Sequence, residues 1–207
     1  MNTPGYTWHV SLGPDPWLDF CVWALERDGL RVPPFDRHAD GNGSLREAGM
    51  TAEAWRAWLG RVNEAVGTFS AAMARIETDG WPPLPEPAAL WQGAPAVGDR
   101  LIELATEYED VENNRKEASI HLWWPDRPNH DEPFWDDVVH FDQLLPPLKV
   151  AYVAYPGPAR LVVPRATMVL AAVGWRPAPG ELTAAVVAGA TELATGEHRT
   201  RGHDAVS

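Results

Sequence analysis

Apolar and polar positions alternate with different periods along the chain, and each period names an element. In "PWLDFCVWALERDG" apolar residues recur at Leu18, Cys21/Val22 and Leu25, which predicts a helix that starts near Pro16 and is ended by Gly29. That spacing puts Cys21 on the buried stripe, where a thiol packs rather than reacts. A longer stripe, Trp55, Trp58/Leu59, Val62, Val66, Phe69, Met73 and Ile76, follows Thr51, whose hydroxyl is placed to cap it. A third helical pattern runs from about residue 97 to 113. There Leu101, Ile102, Leu104, Ala105, Tyr108 and Val111 share a face opposite Asp99, Glu103, Glu107 and Asp110. The second and third helices are expected to pack as an antiparallel pair. They are joined by "GWPPLPEPAALWQGAP", whose five prolines make a stiff, partly extended connection.

Elsewhere the pattern favours strands. "YTWHVSL" (6–12) reads as a first strand before a Gly-Pro-Asp-Pro break, "ASIHLWW" and "KVAYVAY" read as two more, and "PGPA" turns into "RLVV". Over 165–173, "RATMVLAAV" fits a strand or a buried helix equally well. Helical spacing returns in "DEPFWDDVVHFDQLL" and "PGELTAAVVAGATELAT". The expected class is α+β: a helix-rich single domain over 1–196, with a small, mostly antiparallel sheet formed largely by the C-terminal third. Residues 197–207 have almost no large apolar side chain and are expected to be a solvated tail.

Composition narrows the function classes. A chain of 207 residues buries about 70 % of the surface that its unfolded form exposes, so it needs no covalent staple. One cysteine rules out an intramolecular disulfide and a four-thiolate zinc site. The N-terminus shows no basic start before an apolar core, and no apolar run approaches the roughly 20 residues that span a bilayer. A cytoplasmic location is the expectation. Seventeen basic residues against twenty-nine acidic give a net charge of −12, a surface sign that repels phosphate and argues against nucleic-acid and membrane partners. The scarcity of lysine (Lys116 and Lys149) beside abundant Ala, Gly, Pro and Arg points to a GC-rich bacterial genome.

Two segments carry candidate chemistry. In a helix over 132–145, 100° per residue gathers Phe134, Val138, Phe141 and Leu145 into one buried sector and leaves Asp136 and His140 on the wet face, with Asp142 at the border. An i, i+4 Asp/His pair can hold a metal or orient an imidazole for proton transfer, given a third group from His121 or His130. It is equally an exposed ion pair. The loop "FDRHADGNGSLRE" partly matches a calcium loop, with Asp36, Asp40 and Glu47 at its first, fifth and twelfth positions. His38 stands where the third ligand belongs, and an Asx/Gly-rich turn leading into the helix at Thr51 explains the same residues without a metal.

Eleven tryptophans are several times ordinary usage, and adjacent Trp123 and Trp124 would point to opposite faces of a strand, leaving one for a partner. Phosphate-loop, dinucleotide, nucleophile-elbow, zincin and C-x-x-C motifs are absent from the sequence. The leading expectation is a cofactor-free protein that binds another protein of basic surface, as an adaptor, inhibitor or accessory subunit. The alternative is a metal-assisted hydrolase that uses a divalent cation held by residues of 121–142. A third reading, a module for sugars or aromatic ligands, needs two exposed tryptophans lining one cleft.

Overall fold

A computed structural model of the chain describes residues 10–36, 41, 43–66, 85–121, 148–171, 175 and 181–196. Helix α1 (Pro16–Asp28) forms the centre. Asp15 precedes it in extended conformation, and its carboxylate accepts from the backbone N–H of Trp17 and Leu18 at 3.1 and 3.0 Å. Gly29, left-handed at φ 77°, ends it by donating to the Leu25 carbonyl. Gly41 lies against that end, where a Cβ on it would come within 2.1 Å of the Asp28 carbonyl carbon. Eleven of the thirteen residues of α1 are buried, leaving Glu26 partly buried and Arg27 exposed. A helix this apolar all round must be surrounded.

Helix α2 (Ser44–Glu47) is a single turn, and α3 (Ala52–Val66) starts at the expected cap, with the Thr51 hydroxyl accepting from Ala54 N–H at 3.1 Å. Trp55, Trp58, Leu59, Val62 and Val66 are buried as their spacing requires; Phe69, Met73 and Ile76 lie outside the described residues. Side chains of α3 also anchor three proline-containing segments. Arg56 donates to the Pro33 carbonyl, Trp58 to Pro87, Arg61 to Leu90 and Asn63 to Pro164, all between 2.7 and 2.9 Å. Within the proline-rich connection the chain forms a short helix, α4 (Pro85–Ala89), rather than an extended spacer.

Helix α5 (Pro95–Glu109) buries Leu101, Leu104, Ala105 and Tyr108, but Ile102 is 53 % exposed. It sits about 100° round from Leu101, which takes the inner seat. Among the described residues α3 and α5 do not pack as the expected pair: each packs on α1. Helix α6 (Glu112–His121) also corrects an expectation, since residues 118–121, read as the start of a strand, are its last turn. The polar run "ENNRKE" holds no β-branched or aromatic residue, and the helix it begins continues through residues 118–121.

The sheet is formed by β1 (Val10–Pro14), β2 (Leu148–Val153), β3 (Arg160–Val163) and β4 (Thr167–Ala171) in the order β1-β2-β4-β3. β1 pairs with β2 in parallel and β2 with β4 in parallel; only β3 and β4 are antiparallel. The α+β class and the C-terminal origin of most strands hold, while the expected mostly antiparallel sheet becomes a mixed one. Burial explains the order. β2 is buried at every position and belongs between two neighbours, whereas β3 is half-exposed along most of its length and suits an edge. Pairing with β2 on one side and β3 on the other resolves 165–173 in favour of a strand, β4. Ala151, Val153, Val169 and Ala171 join the core of α1 and α3. Leu148, Val150, Met168 and Leu170 are buried on the other face, where Gly189 of helix α7 (Glu181–Thr195) lies against Met168.

No helix among the described residues is long and apolar enough to cross a membrane. The expected helix over 132–145, strand residues 6–9 and the tail 197–207 lie outside the described residues.

The β3–β4 turn places Arg165 and Ala166 at φ 68° and 60°, a region costly for side chains with a Cβ. It is held by Asn63 on the Pro164 carbonyl and by Lys149 N–H on the Ala166 carbonyl. Ala166→Gly keeps both bonds and removes the Cβ. It should raise the free energy of unfolding in urea by about 1 kcal/mol.

Candidate functional site

Polar side chains converge where α1 leaves β1, at the carboxyl ends of the parallel pair β1 and β2. Asp15 and Asp19, one helical turn apart, are each only 5 % exposed. The two oxygens of Asp19 receive four donors: Tyr108 O–H at 2.6 Å, Arg115 Nε at 2.7 Å and Nη2 at 3.1 Å, and Ala154 N–H at 2.6 Å. Asp15 caps α1 with one oxygen and pairs with the Lys149 ammonium through the other. Arg115 divides its guanidinium between Asp19 and Glu26, whose oxygen lies 3.1 Å from Nη2.

Each proton affinity here has a local cause. Burial pushes Glu26 up to about 7, and Asp19 adds to that push while Arg115 opposes it. Tyr108 is raised far above the ordinary phenol range by burial and by Asp19, so its O–H stays a donor. Burial weakens the hold of Arg115 on its proton, yet Asp19 and Glu26 more than restore it. The Cys21 thiol is pushed up by burial, then by Asp15 and Asp19, which keeps it from acting as a thiolate.

In an enzyme, carboxylates, a tyrosine and basic groups at strand carboxyl ends would suggest catalysis. The hydrogen bonds indicate a different role. A carboxylate with four donors has no lone pair left for substrate or metal, so Asp19 positions its neighbours rather than reacting. The adjoining cleft, lined by Pro14, Asp15, Pro16, Asp19, Tyr108, Lys116 and Tyr152, has room for about one water molecule.

The structure brings few of the sequence candidates together. Asp36 is exposed in a loop and Glu47 is exposed at the end of α2, while Asp40 lies outside the described residues. The carboxylate that organises this loop is Asp28, fully buried, which accepts from Leu45 N–H at 2.7 Å and from the Ser44 hydroxyl. His121 closes α6 in its backbone; His130, Asp136, His140, Asp142, Trp123 and Trp124 lie outside the described residues. Among the described residues no three His, Cys, Asp or Glu side chains are grouped to hold a metal. Trp17, Trp23, Trp55 and Trp58 fill the core. Edge-to-face contacts join Trp58 to Phe20, Trp23 to Tyr108 and Trp55 to Phe35, and the Trp55 N–H donates to the Cys21 carbonyl at 3.0 Å.

Sequence reasoning missed Asp19 and Arg115. A signal was present: a helix apolar on every side cannot place Asp19 in water, so its carboxylate had to find buried donors. No family model, curated protein or solved structure matches this chain.

Two outcomes follow from the network. Asp19→Asn removes the charge that Arg115 answers and should lower unfolding stability by about 3 kcal/mol in urea titrations. Cys21 should resist a thiol reagent such as iodoacetamide in the native protein and react fully once denatured.

Proposed function

We propose that the protein acts by binding another protein, as an adaptor, inhibitor or accessory subunit, through the outer face of α5. The observation that carries this reading is Ile102, the exposed large apolar side chain of the described surface, at 53 %. It is set among Asp99, Glu103, Thr106, Glu109 and Asp110, all exposed. An isoleucine ringed by carboxylates has the make-up of a contact centre with a polar rim, and its sign selects a basic partner. The net charge of −12 disfavours nucleic acid and anionic lipid as alternatives. A buried, unreactive Cys21 suits a reducing cytoplasm. Saturation of Asp19 supports the same reading, because the one dense cluster of ionisable groups in the described core is occupied in holding elements together.

The test is affinity capture from the native host at low salt, with wild type and an Ile102→Glu/Glu103→Lys variant side by side. Both positions are exposed, so the variant should keep its stability to within about 0.5 kcal/mol. Wild type should retain a basic protein that is released when salt rises well above physiological strength, where screening shortens to a few ångströms. The variant should not retain it. Equal capture by both would remove α5 as the binding face.

A further inference from the structure

Asp28 is the most deeply buried acid among the described residues, at 0 % exposure, and it stands at the carboxyl end of a helix. That end already carries the negative pole of the helix dipole, so an acid in the last turn of α1 adds like charge to like. Its surroundings answer only half of the carboxylate. Oδ1 accepts from Leu45 N–H at 2.7 Å and from the Ser44 hydroxyl. Oδ2 is equally shut off from solvent and meets no donor among the described residues. A buried carboxylate oxygen without a donor is costly unless a ligand completes it.

A second acceptor lies at the same end. The Arg27 carbonyl is one of those that α1 leaves without an intrahelical partner, and it receives no hydrogen bond among the described residues. Gly41 is laid against it so closely that a Cβ would come within 2.4 Å of that oxygen. Gly43 N–H meets the Asp28 carbonyl at 2.6 Å, so the chain that leads into α2 folds back over the end of α1. The connection from Asp36 to Gly43, "DRHADGNG", holds further carboxylate and amide oxygens in its sequence.

The arginines nearby are committed elsewhere. Arg27 is turned to Glu107 at 2.9 Å, and Arg100 is divided among the Ser44 hydroxyl, Glu103 and Glu107. Arg46 is exposed, with its guanidinium lying over Gly43. The donors left at the helix end are therefore all oxygen and carry negative charge. Calcium suits such a set, because it takes about six to eight oxygens at flexible angles and accepts backbone carbonyls and water beside a carboxylate. Magnesium demands a stricter octahedron and sheds its water reluctantly.

We propose that a calcium ion binds at the carboxyl end of α1, on Asp28 Oδ2 and the Arg27 carbonyl, beneath the chain that carries Gly41.

This site is distinct from the calcium-loop frame read in the sequence. Asp36 and Glu47, the first and twelfth positions of that frame, are exposed, whereas Asp28 precedes the frame and is buried. With a single buried carboxylate the affinity falls at the weak end of calcium sites, at a Kd on the order of 10⁻⁴ M. At about 10 mM calcium, a ligand of the folded state alone then raises the ratio of folded to unfolded protein about a hundredfold.

Urea unfolding of EDTA-treated protein, followed by tryptophan fluorescence, should show that gain in calcium chloride. The same concentration of magnesium chloride, which screens a chain of net charge −12 equally well, should not give it. Asp28→Asn keeps an acceptor for Leu45 and Ser44 and puts an amide where the ion would sit; it should fold and lose the calcium gain. The absence of any gain leaves Oδ2 to a water molecule and overturns the proposal. So does an equal gain in magnesium, or a gain that survives in the variant. Should Asp28→Asn fail to fold, backbone amide NMR of the wild type decides. Calcium-dependent shifts that centre on Gly43, Ser44 and Leu45 and saturate at one ion support the site; shifts spread over the acidic surface, or none, overturn it.

Discussion

Everything in the core is arranged around one buried carboxylate. Asp19 sits on the central helix and receives donors from Tyr108, Arg115 and Ala154, residues 89, 96 and 135 positions away. An ionised carboxyl left unanswered in such a place costs several kcal/mol, so α1 cannot settle until α5, α6 and β2 have all arrived. The apolar surface of α1 would tolerate many rotations about its axis; Asp19 selects one. Hydrophobic burial makes the helix central, and the carboxylate fixes its azimuth.

The elements that sequence discloses are those whose causes are local. Asp15, Pro16 and Gly29 bound α1 within a few residues of one another, Thr51 caps α3, and "PGELTAAVVAGATELAT" forms α7 over Glu181–Thr195. What it conceals is set by partners distant in the chain. A turn such as "PGPA" between β2 and β3 reads as a hairpin, yet β4 enters between them because β2, buried at every position, needs a covered neighbour on each side. Ile102 looks like part of the core stripe, and only the finished packing around Leu101 turns it out.

The candidate site shows the same division. Density of histidine, aspartate and tryptophan draws the eye to 121–142, but composition does not say which carboxylates are paid attention by donors. Asp15, Asp19 and Asp28 lie in or beside a helix whose apolar pattern gives them no prominence, and they become the organising acids through burial. Lys149 was open to the same inference: a lysine inside the apolar run "LKVAYV" has to meet an acid, and it meets Asp15.

Helix α3 reaches the Pro33, Pro87 and Pro164 carbonyls with side-chain donors, so three segments are tied down through their backbone as well as by their buried Val32, Phe35, Ala88 and Val163. Each of these carbonyls accepts a side-chain donor from the one helix, and the Pro87 oxygen also accepts from Leu90 N–H. Part of the constraint on these segments is thereby moved from the segments themselves to their anchors. Their exposed positions can change and keep the same course, whereas Arg56, Trp58 and Asn63 govern the shape of a surface to which they contribute little area themselves.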